Sequence, residues 1–155
     1  MTKDRLILIA AAGSGALLLG AFGFQLLGYA PCKMCLWQRW PHATAVLIGA
    51  VALWRGVPVL AWLGALAALT TAGIGGFHAG VEQGWWEGPT SCSGGGSSDL
   101  GAMTGADLLS TDIGEVVVMC DEIVWQLLGL SMAGWNMVIS LGLAALWIAA
   151  ARRHA

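Results

Sequence analysis

Charge is scarce in this sequence. Only 10% of the 155 residues are charged, whereas 57% are hydrophobic, and a soluble domain carries about 25% charged residues. A soluble protein with so little charge would lack polar surface, so the composition predicts an integral membrane protein. The net charge is −2 and no basic patch occurs, which excludes a nucleic-acid-binding protein. An internal repeat is also absent.

Residues 6–28 and residues 40–54 form apolar stretches that contain no charged residue. A helix needs about 20 apolar residues to cross the hydrocarbon core of a bilayer. We therefore predict spans over about residues 6–27, 35–54, 58–78 and 131–151, joined by outer loops over about 28–34 and 79–130. The whole chain, 1–155, is then a single all-α integral membrane domain. We expect a four-transmembrane-helix bundle whose long outer loop contains a short helix on the membrane surface.

The cations predict how the spans are oriented. If the N-terminus, the turn after the second span and the C-terminus share one side, that side holds five of the seven cations: Lys3, Arg5, Arg55, Arg152 and Arg153. The positive-inside bias makes this side cytoplasmic. The first apolar run is too long for a secretory signal and no small-x-small cleavage site follows, so we expect it to be retained. Both termini are then cytoplasmic, and both outer loops face an oxidising bacterial periplasm that permits disulfides.

The four cysteines form one close pair and one distant pair. Cys32 and Cys35 make a C-x-x-C motif between the first two spans, while Cys92 and Cys120 lie far apart in the long outer loop. A closed zinc site needs four ligands, and neither distant cysteine has a matching partner motif, so we predict no metal. Covalent haem attachment needs a histidine where Leu36 stands. Two inert structural disulfides remain an alternative, although a C-x-x-C bridge closes too small a loop to stabilise much.

The C-x-x-C pair has the surroundings of a redox centre. We expect Cys35 to be a thiolate in the reduced protein, because it lies at a helix N-terminus with Arg39 one turn ahead and Lys33 beside it. Dithiol–disulfide exchange passes electrons between pairs through mixed disulfides. Two cysteine pairs, one of them beside the membrane, therefore predict a relay from an external protein toward the bilayer. No haem or flavin site is evident, so a lipid-soluble quinone is the expected acceptor.

Over nearly its full length the chain resembles the disulfide-bond formation protein B (DsbB) family. The resemblance rests on P-C-x-x-C-x-x-x-R at residues 31–39, two further cysteines in the long outer loop, and Trp125 followed by L-G-L-S-M at residues 128–132. It implies a quinone-dependent thiol:disulfide oxidoreductase of the bacterial inner membrane. The implied cofactor is ubiquinone or menaquinone. The implied partner is a soluble, periplasmic, thioredoxin-like dithiol oxidase (DsbA-like), which the enzyme re-oxidises.

The resemblance also implies a role for each cysteine. The reduced partner attacks Cys92, and the Cys92–Cys120 pair is reduced as the partner is re-oxidised. Cys120 then attacks Cys32, which releases Cys35 as a thiolate that forms a charge-transfer pair with the quinone. Reduction of the quinone restores the Cys32–Cys35 disulfide. Arg39 matches the family arginine that supports the thiolate and the quinone.

Further residues are candidates for the quinone pocket. Met132 and Trp125 match family positions near the quinone. The family has a histidine directly after the glutamate at the outer end of the third span, but here Gln83 follows the glutamate and His78 lies about one turn before it. Either His78 or Gln83 is expected to face the quinone. His42, seven residues after the second cysteine on the same helix face, is a further candidate.

Two other functions fit parts of the pattern. One is a quinone-linked thiol oxidoreductase of the vitamin K epoxide reductase type, which also has four helices. In that type we expect the C-x-x-C at the start of a late helix rather than the second. The other is a non-enzymatic membrane scaffold stapled by two disulfides, whose cysteines would be oxidised and unreactive toward a partner.

Overall fold

The computed structural model describes residues 1–89 and 119–153. This part of the chain contains four helices: α1 (Lys3–Leu26), α2 (Lys33–Arg55), α3 (Pro58–Glu82) and α4 (Met132–Arg152). They form a ring in which α1 contacts α2, α2 contacts α3, α3 contacts α4 and α4 contacts α1. The prediction of an all-α fold is confirmed. By length and composition, α1, α3 and α4 can each cross a membrane; α2 is equally long but carries Lys33, Arg39 and Arg55.

Local sequence explains where the helices begin and end. Gly56 ends α2 at φ 68°, in the left-handed region that glycine tolerates, and Pro58 opens α3, where its missing N–H costs little. The Ser131 hydroxyl caps α4 by accepting a hydrogen bond from the Gly134 N–H at 3.1 Å. The third helix extends one turn beyond the predicted end at residue 78. His78 and Glu82 therefore lie on the same face of one helix.

The helices pack closely around one large side chain. Trp147 of α4 is fully buried, with 0% of its surface exposed. A Cβ atom at Gly64 of α3 would lie 2.5 Å from the Trp147 ring, and one at Gly49 of α2 would lie 3.6 Å from it. Small residues thus let the backbones approach the indole, as in other membrane helix bundles.

A small hairpin, rather than a helix, precedes α4. Strands β1 (Gln126–Leu127) and β2 (Leu130–Ser131) pair antiparallel. The two turn residues between them, Leu128 at φ 53° and Gly129 at φ 80°, are both left-handed, as a two-residue type I′ turn requires. The surface helix expected in the long outer loop does not lie within residues 119–131, where a turn and this hairpin stand. Residues 90–118 of that loop lie outside the described residues.

The two ends of the bundle differ in character. The Arg153 guanidinium donates a hydrogen bond to the Met1 carbonyl, so the described ends of the chain meet. Because short connections join α1 to α2 and α2 to α3, neighbouring helices run in opposite directions. The start of α1, the end of α2 and the end of α4 consequently share the terminal end of the bundle. The cysteines described below lie at the opposite end.

Candidate active site

The C-x-x-C motif forms a free dithiol at the start of α2. Cys32 is the N-cap residue, and its sulfur accepts a hydrogen bond from the Cys35 N–H at 3.2 Å. The Cys35 sulfur lies 2.8 Å from the Cys32 sulfur, and both cysteines are free. The first turn of the helix therefore brings the two sulfurs together, as exchange chemistry requires.

The two sulfurs differ in acidity. The hydrogen bond from the Cys35 thiol, supported by His78 and by the Cys35 N–H, outweighs burial and lowers the pKa of Cys32 from 9.0 to about 5. The expectation that Cys35 carries the thiolate is wrong for this dithiol form. The physical reason is that the Cys35 thiol, the His78 imidazole and the Cys35 N–H all act on the sulfur of Cys32, which is the N-cap residue.

A histidine and a glutamate of α3 lie behind the dithiol. His78 Nε2 is 3.5 Å from the Cys32 sulfur and 3.7 Å from a carboxylate oxygen of Glu82. The Ser131 hydroxyl forms a hydrogen bond with Glu82. Of the two residues that the sequence left open, His78 reaches the sulfur and lines the cavity described next, whereas Gln83 follows the last turn of α3 and does not line it.

Cys120 belongs to the same buried cluster. It is fully buried, packs in one cluster with Cys32, and its backbone forms a hydrogen bond with His78. It is disulfide-bonded. Cys92, the fourth predicted catalytic cysteine, lies outside the described residues. The cluster therefore brings one cysteine of the long outer loop next to the C-x-x-C pair.

A largely apolar cavity of about 390 Å³ opens beside the dithiol. One wall is α1, which the sequence analysis did not connect with the site. The hairpin and the start of α4 form another wall. The predicted pocket residues all line it: Cys35, Arg39, His42, His78, Trp125 and Met132. Further lining residues include Leu18, Ala21, Phe24, Gln38, Glu82, Trp135 and Asn136.

Arg39 is held at the cavity by α1. Its guanidinium donates to the Gln25 side-chain oxygen at 2.9 Å and to the Ala21 carbonyl at 3.4 Å. It also lies over the Phe22 ring, 4.7 Å from the ring centre. Sequence reasoning missed Gln25 as a functional residue. The available signal was a single strongly polar side chain near the outer end of an otherwise apolar span.

Polar side chains continue from the dithiol into the bundle. The Asn136 amide donates to the Gln38 side-chain oxygen at 2.7 Å, and the Asn136 oxygen lies 2.8 Å from His42 Nε2. The Thr71 hydroxyl lies 3.2 Å from the same imidazole nitrogen. Sequence reasoning gave no role in the site to Gln38, Thr71 or Asn136, because their positions on three different helices show no spacing pattern along the chain.

The same cluster has one arrangement that a metal ion would accept. The sulfurs of Cys32 and Cys35 and one His78 nitrogen lie within 4.8 Å of one another. This is three ligands, whereas a closed structural zinc site has four. The short sulfur–sulfur contact instead suits a pair that alternates between dithiol and disulfide.

Comparison with known proteins places the chain in a family. Residues 3–150 match the family model described as "Disulfide bond formation protein DsbB". The chain is 31% identical to disulfide bond formation protein B of Dechloromonas aromatica (strain RCB) over 144 residues, which cover 88% of this chain and 86% of the relative. It is 28% identical to the protein of that name from Albidiferax ferrireducens over 155 residues, covering 94% and 87%. No solved structure matches significantly. With a free C-x-x-C pair at the start of its second helix and a family match over nearly its whole length, the chain belongs to the DsbB family of disulfide bond formation proteins.

Proposed function

We propose that this protein is a quinone-dependent thiol:disulfide oxidoreductase. It takes electrons from a reduced, soluble, DsbA-like protein and passes them to ubiquinone or menaquinone in the membrane. The observation that carries the proposal is the free dithiol of Cys32 and Cys35, which opens directly onto an apolar cavity of about 390 Å³. Membership of the DsbB family supports it.

The cavity fits the head group of a quinone. Its volume lies in the usual range of small-molecule pockets, about 300–1,000 Å³. Phe24 and Trp125, whose rings meet edge to face at 5.3 Å, provide apolar contact for a flat ring. Arg39 Nε and His42 Nδ1 are buried polar atoms without a hydrogen-bond partner among the described residues. When bound, a quinone supplies an acceptor for two electrons and two protons.

The cysteines of the long loop receive the electrons. Cys120 is bonded while Cys32 and Cys35 are free, which supports a Cys92–Cys120 disulfide as the pair that meets the partner. The partner thiolate attacks Cys92, forms a mixed disulfide and releases Cys120 as a thiolate. Cys120 then attacks Cys32 in the oxidised C-x-x-C, whose own disulfide breaks. Burial of Cys120 in one cluster with Cys32 supports this step.

Release of the partner completes the relay. Its second thiolate attacks the mixed disulfide and leaves as the oxidised protein, freeing Cys92. Cys92 then attacks Cys120, which restores their bond and leaves Cys32 and Cys35 as a dithiol. The bonded state of Cys120 and the free state of Cys32 and Cys35 support this end point. The reduced pair holds two electrons for the membrane acceptor, and giving them up restores the Cys32–Cys35 disulfide.

The role of Cys35 depends on the step. In the dithiol, Cys32 is the sulfur that the helix N-terminus stabilises. Once Cys32 is bonded to Cys120, Cys35 is the sulfur left as a thiolate at the cavity, which Arg39 also lines. The thiolate expected from the sequence at Cys35 therefore belongs to the bridged form of the enzyme.

We further propose that all four helices cross the bacterial inner membrane, with the cysteine end in the periplasm. The positive charges at the other end of the bundle support this orientation through the positive-inside bias. A cysteine introduced at Thr2 should stay unlabelled by a membrane-impermeant maleimide until the cells are lysed. Labelling of Thr2→Cys in intact cells would show that the N-terminus lies in the periplasm, which contradicts the proposed orientation.

Turnover by purified protein tests the proposed function. With a reduced DsbA-like donor and ubiquinone-1, we expect wild type to form hydroquinone, and we expect Cys35→Ser and Cys92→Ser to lose turnover. If wild type shows no turnover and its cysteines are unreactive, the protein is a disulfide-stapled scaffold rather than an enzyme. Turnover that survives in Cys92→Ser would show that the donor reaches Cys32 and Cys35 directly.

A further inference from the structure

The buried imidazole of His42 has a nitrogen without a hydrogen-bond partner among the described residues, and the residue lines the cavity. The residue is 4% exposed, lies two helical turns deeper than Cys35 on α2 and lines the cavity. Its Nδ1 atom has no hydrogen-bond partner within the described ranges. A buried polar atom without a partner is costly. A polar group of a ligand in the cavity could give this nitrogen a partner, and the tautomer of the imidazole decides which kind of group can do so.

Backbone carbonyls fix the direction of the surrounding hydrogen bonds. The Gln38 amide nitrogen lies 3.3 Å from the Met34 carbonyl oxygen, which can only accept, so this end of the Gln38 side chain is its NH₂ group. The other end, the Gln38 oxygen, faces the Asn136 side chain at 2.7 Å and must receive a hydrogen from it. The same Asn136 nitrogen lies 3.4 Å from the Thr71 carbonyl, a second group that only accepts.

This direction determines the tautomer of His42. Since its nitrogen faces Gln38, Asn136 turns its oxygen toward His42 Nε2, at 2.8 Å. An amide oxygen cannot donate, so the hydrogen in this contact belongs to His42 Nε2. The Thr71 hydroxyl donates to the Gln38 carbonyl at 3.3 Å and has lone pairs left for the same N–H at 3.2 Å. In the neutral imidazole, Nδ1 therefore carries a lone pair that has no partner among the described residues, and it belongs to a residue that lines the cavity.

The same chain of amides orients the second histidine. The Gln38 NH₂ group donates to His78 Nδ1 at 2.9 Å, so the His78 hydrogen is on Nε2, next to the Cys32 sulfur. The side-chain amides of Gln38 and Asn136 thus hold His78 and His42 in the same tautomer, with the hydrogen on Nε2. His78 offers an N–H to the sulfur, whereas His42 offers a lone pair to the cavity. Because amides do not readily exchange their hydrogens for lone pairs, this is an orienting network rather than a path for protons.

We propose that His42 Nδ1 accepts a hydrogen bond from a hydroxyl of the ligand, so that the cavity prefers the hydroquinone to the quinone. A quinone carbonyl has only lone pairs and cannot pair with this nitrogen, whereas a hydroquinone hydroxyl can. The inference rests on the proposed function for the identity of the ligand as a quinone. His42 is then a positioning group for the reduced ligand, and Asn136 acts through it.

The preference has a consequence for electron transfer. One hydrogen bond to a buried acceptor corresponds to about tenfold in affinity. Binding the reduced form tenfold more tightly raises the potential of a two-electron couple by about 30 mV. Quinone in this cavity is then a stronger oxidant of the Cys32–Cys35 dithiol than quinone free in the bilayer.

Imidazole tautomers can be measured directly. We expect ¹⁵N NMR of histidine-labelled, reduced protein in lipid nanodiscs to show His42 with its hydrogen on Nε2, the signal being assigned by its loss in His42→Leu. A hydrogen on Nδ1 would overturn the proposal. This readout needs neither a ligand nor turnover.

Binding of a hydroquinone and its dimethyl ether gives the second readout. Reduced protein is titrated anaerobically with ubiquinol-1 and with the dimethyl ether of ubiquinol-1, and tryptophan fluorescence reports binding. We expect the ether to bind about tenfold more weakly to wild type and equally well to His42→Leu. Thr44→Val, on the exposed face of the same helix, should keep the wild-type ratio.

The outcomes separate the two proposals. A tenfold difference that persists in His42→Leu would come from the size of the added methyl groups and would overturn the role of His42. If neither compound binds while the tautomer is as expected, the ligand class is wrong, and both the proposed function and the preference for hydroquinone fail. Equal binding of both compounds to wild type would overturn the preference alone.

Discussion

The two sulfurs of the C-x-x-C are unequal because only one of them caps a helix. Cys32 receives the Cys35 N–H, the Cys35 thiol and the His78 imidazole, so three donors converge on one sulfur. Such convergence stabilises a thiolate. In the dithiol form the sulfur bearing the charge is thus the one that we propose Cys120 attacks in the oxidised form.

We predict that Cys32 ionises near pH 5 in the reduced protein. The difference in ultraviolet thiolate absorbance between wild type and Cys32→Ser, followed against pH, should have its midpoint there, since the pKa is lowered to about 5. Cys35→Ala removes the largest cause of the shift and should move the midpoint toward 9.0. A wild-type midpoint near that ordinary value would contradict the geometry.

The same shift links stability to pH. The pKa of Cys32 is 9.0 without its neighbours and about 5 in the fold, so its ionisation stabilises the fold fully above about pH 9. This contribution is lost as the pH falls from 9 to 5. The thermal midpoint of the dithiol protein should therefore rise with pH across this window relative to that of the Cys32–Cys35 disulfide form, in which neither sulfur titrates. If the thermal midpoints of the two forms change with pH in parallel, the ionisation of Cys32 does not contribute to stability.

Gln25 should matter for quinone binding although it does not line the cavity. Its oxygen accepts from Arg39 at 2.9 Å, and a hydrogen bond to a charged group contributes about 1.5–3 kcal/mol. Gln25→Met keeps the length and removes the acceptor, so Arg39 loses its orientation. We expect the KM for ubiquinone-1 to rise at least fivefold with little change in kcat.

A neighbouring position provides the control for Gln25. Leu26 is the next residue and is 88% exposed, so Leu26→Met alters the same end of α1 without touching Arg39. It should leave the KM unchanged. Equal KM values for Gln25→Met and Leu26→Met would show that Arg39 does not depend on α1.

At the scale of the helices, close packing around Trp147 sets the positions of α3 and α4. Gly64→Ala places a methyl group 2.5 Å from the buried ring, and such overpacking costs about 1–3 kcal/mol. We expect a lower unfolding midpoint in detergent micelles. Gly73→Ala, on the same helix with nothing within 4 Å, should be neutral or slightly stabilising through helix propensity. Equal midpoints for the two variants would contradict this packing.

The helices were easier to predict than the segments between them. Apolar runs bounded by Gly56, Pro58 and Ser131 indicate helix ends directly, because caps and turn residues act locally. The hairpin at residues 126–131 was missed, since its apolar residues also suit a surface helix and only the backbone shows that Leu128 is left-handed. Hydrophobicity alone therefore did not distinguish the two structures.

The sequence predicted those parts of the site whose residues lie close together along the chain. The dithiol and Arg39 share one helix and follow from the spacing of a single motif. The contacts of Gln25 with Arg39 and of Asn136 with Gln38 join distant segments of the chain, and they form only when the helices pack. The thiolate assignment failed for the dithiol form for a different reason: the sequence did not show which cysteine is the N-cap residue.

At the scale of the whole molecule, the bundle separates two meeting points for electrons. Cys120 lies in the buried cluster with Cys32, against which Cys35 also packs, and both cysteines of the C-x-x-C line the cavity between the helices. Under the proposed function, a soluble protein and a lipid-soluble molecule would exchange electrons through the four cysteines without meeting each other. This arrangement requires that the cavity itself is where the membrane acceptor binds.

Single-turnover oxidation of the dithiol tests that requirement most directly. Pre-reduced protein is mixed with ubiquinone-1, and hydroquinone and the Cys32 and Cys35 thiols are quantified over time. Leu18 lines the cavity, whereas Leu19 is 73% exposed and does not, so the same substitution at each gives a matched pair. We expect wild type and Leu19→Trp to form one hydroquinone per protein with loss of both thiols, and Leu18→Trp to react at least tenfold more slowly. Equal rates for the two variants, or thiol loss without hydroquinone, would contradict electron transfer in this cavity.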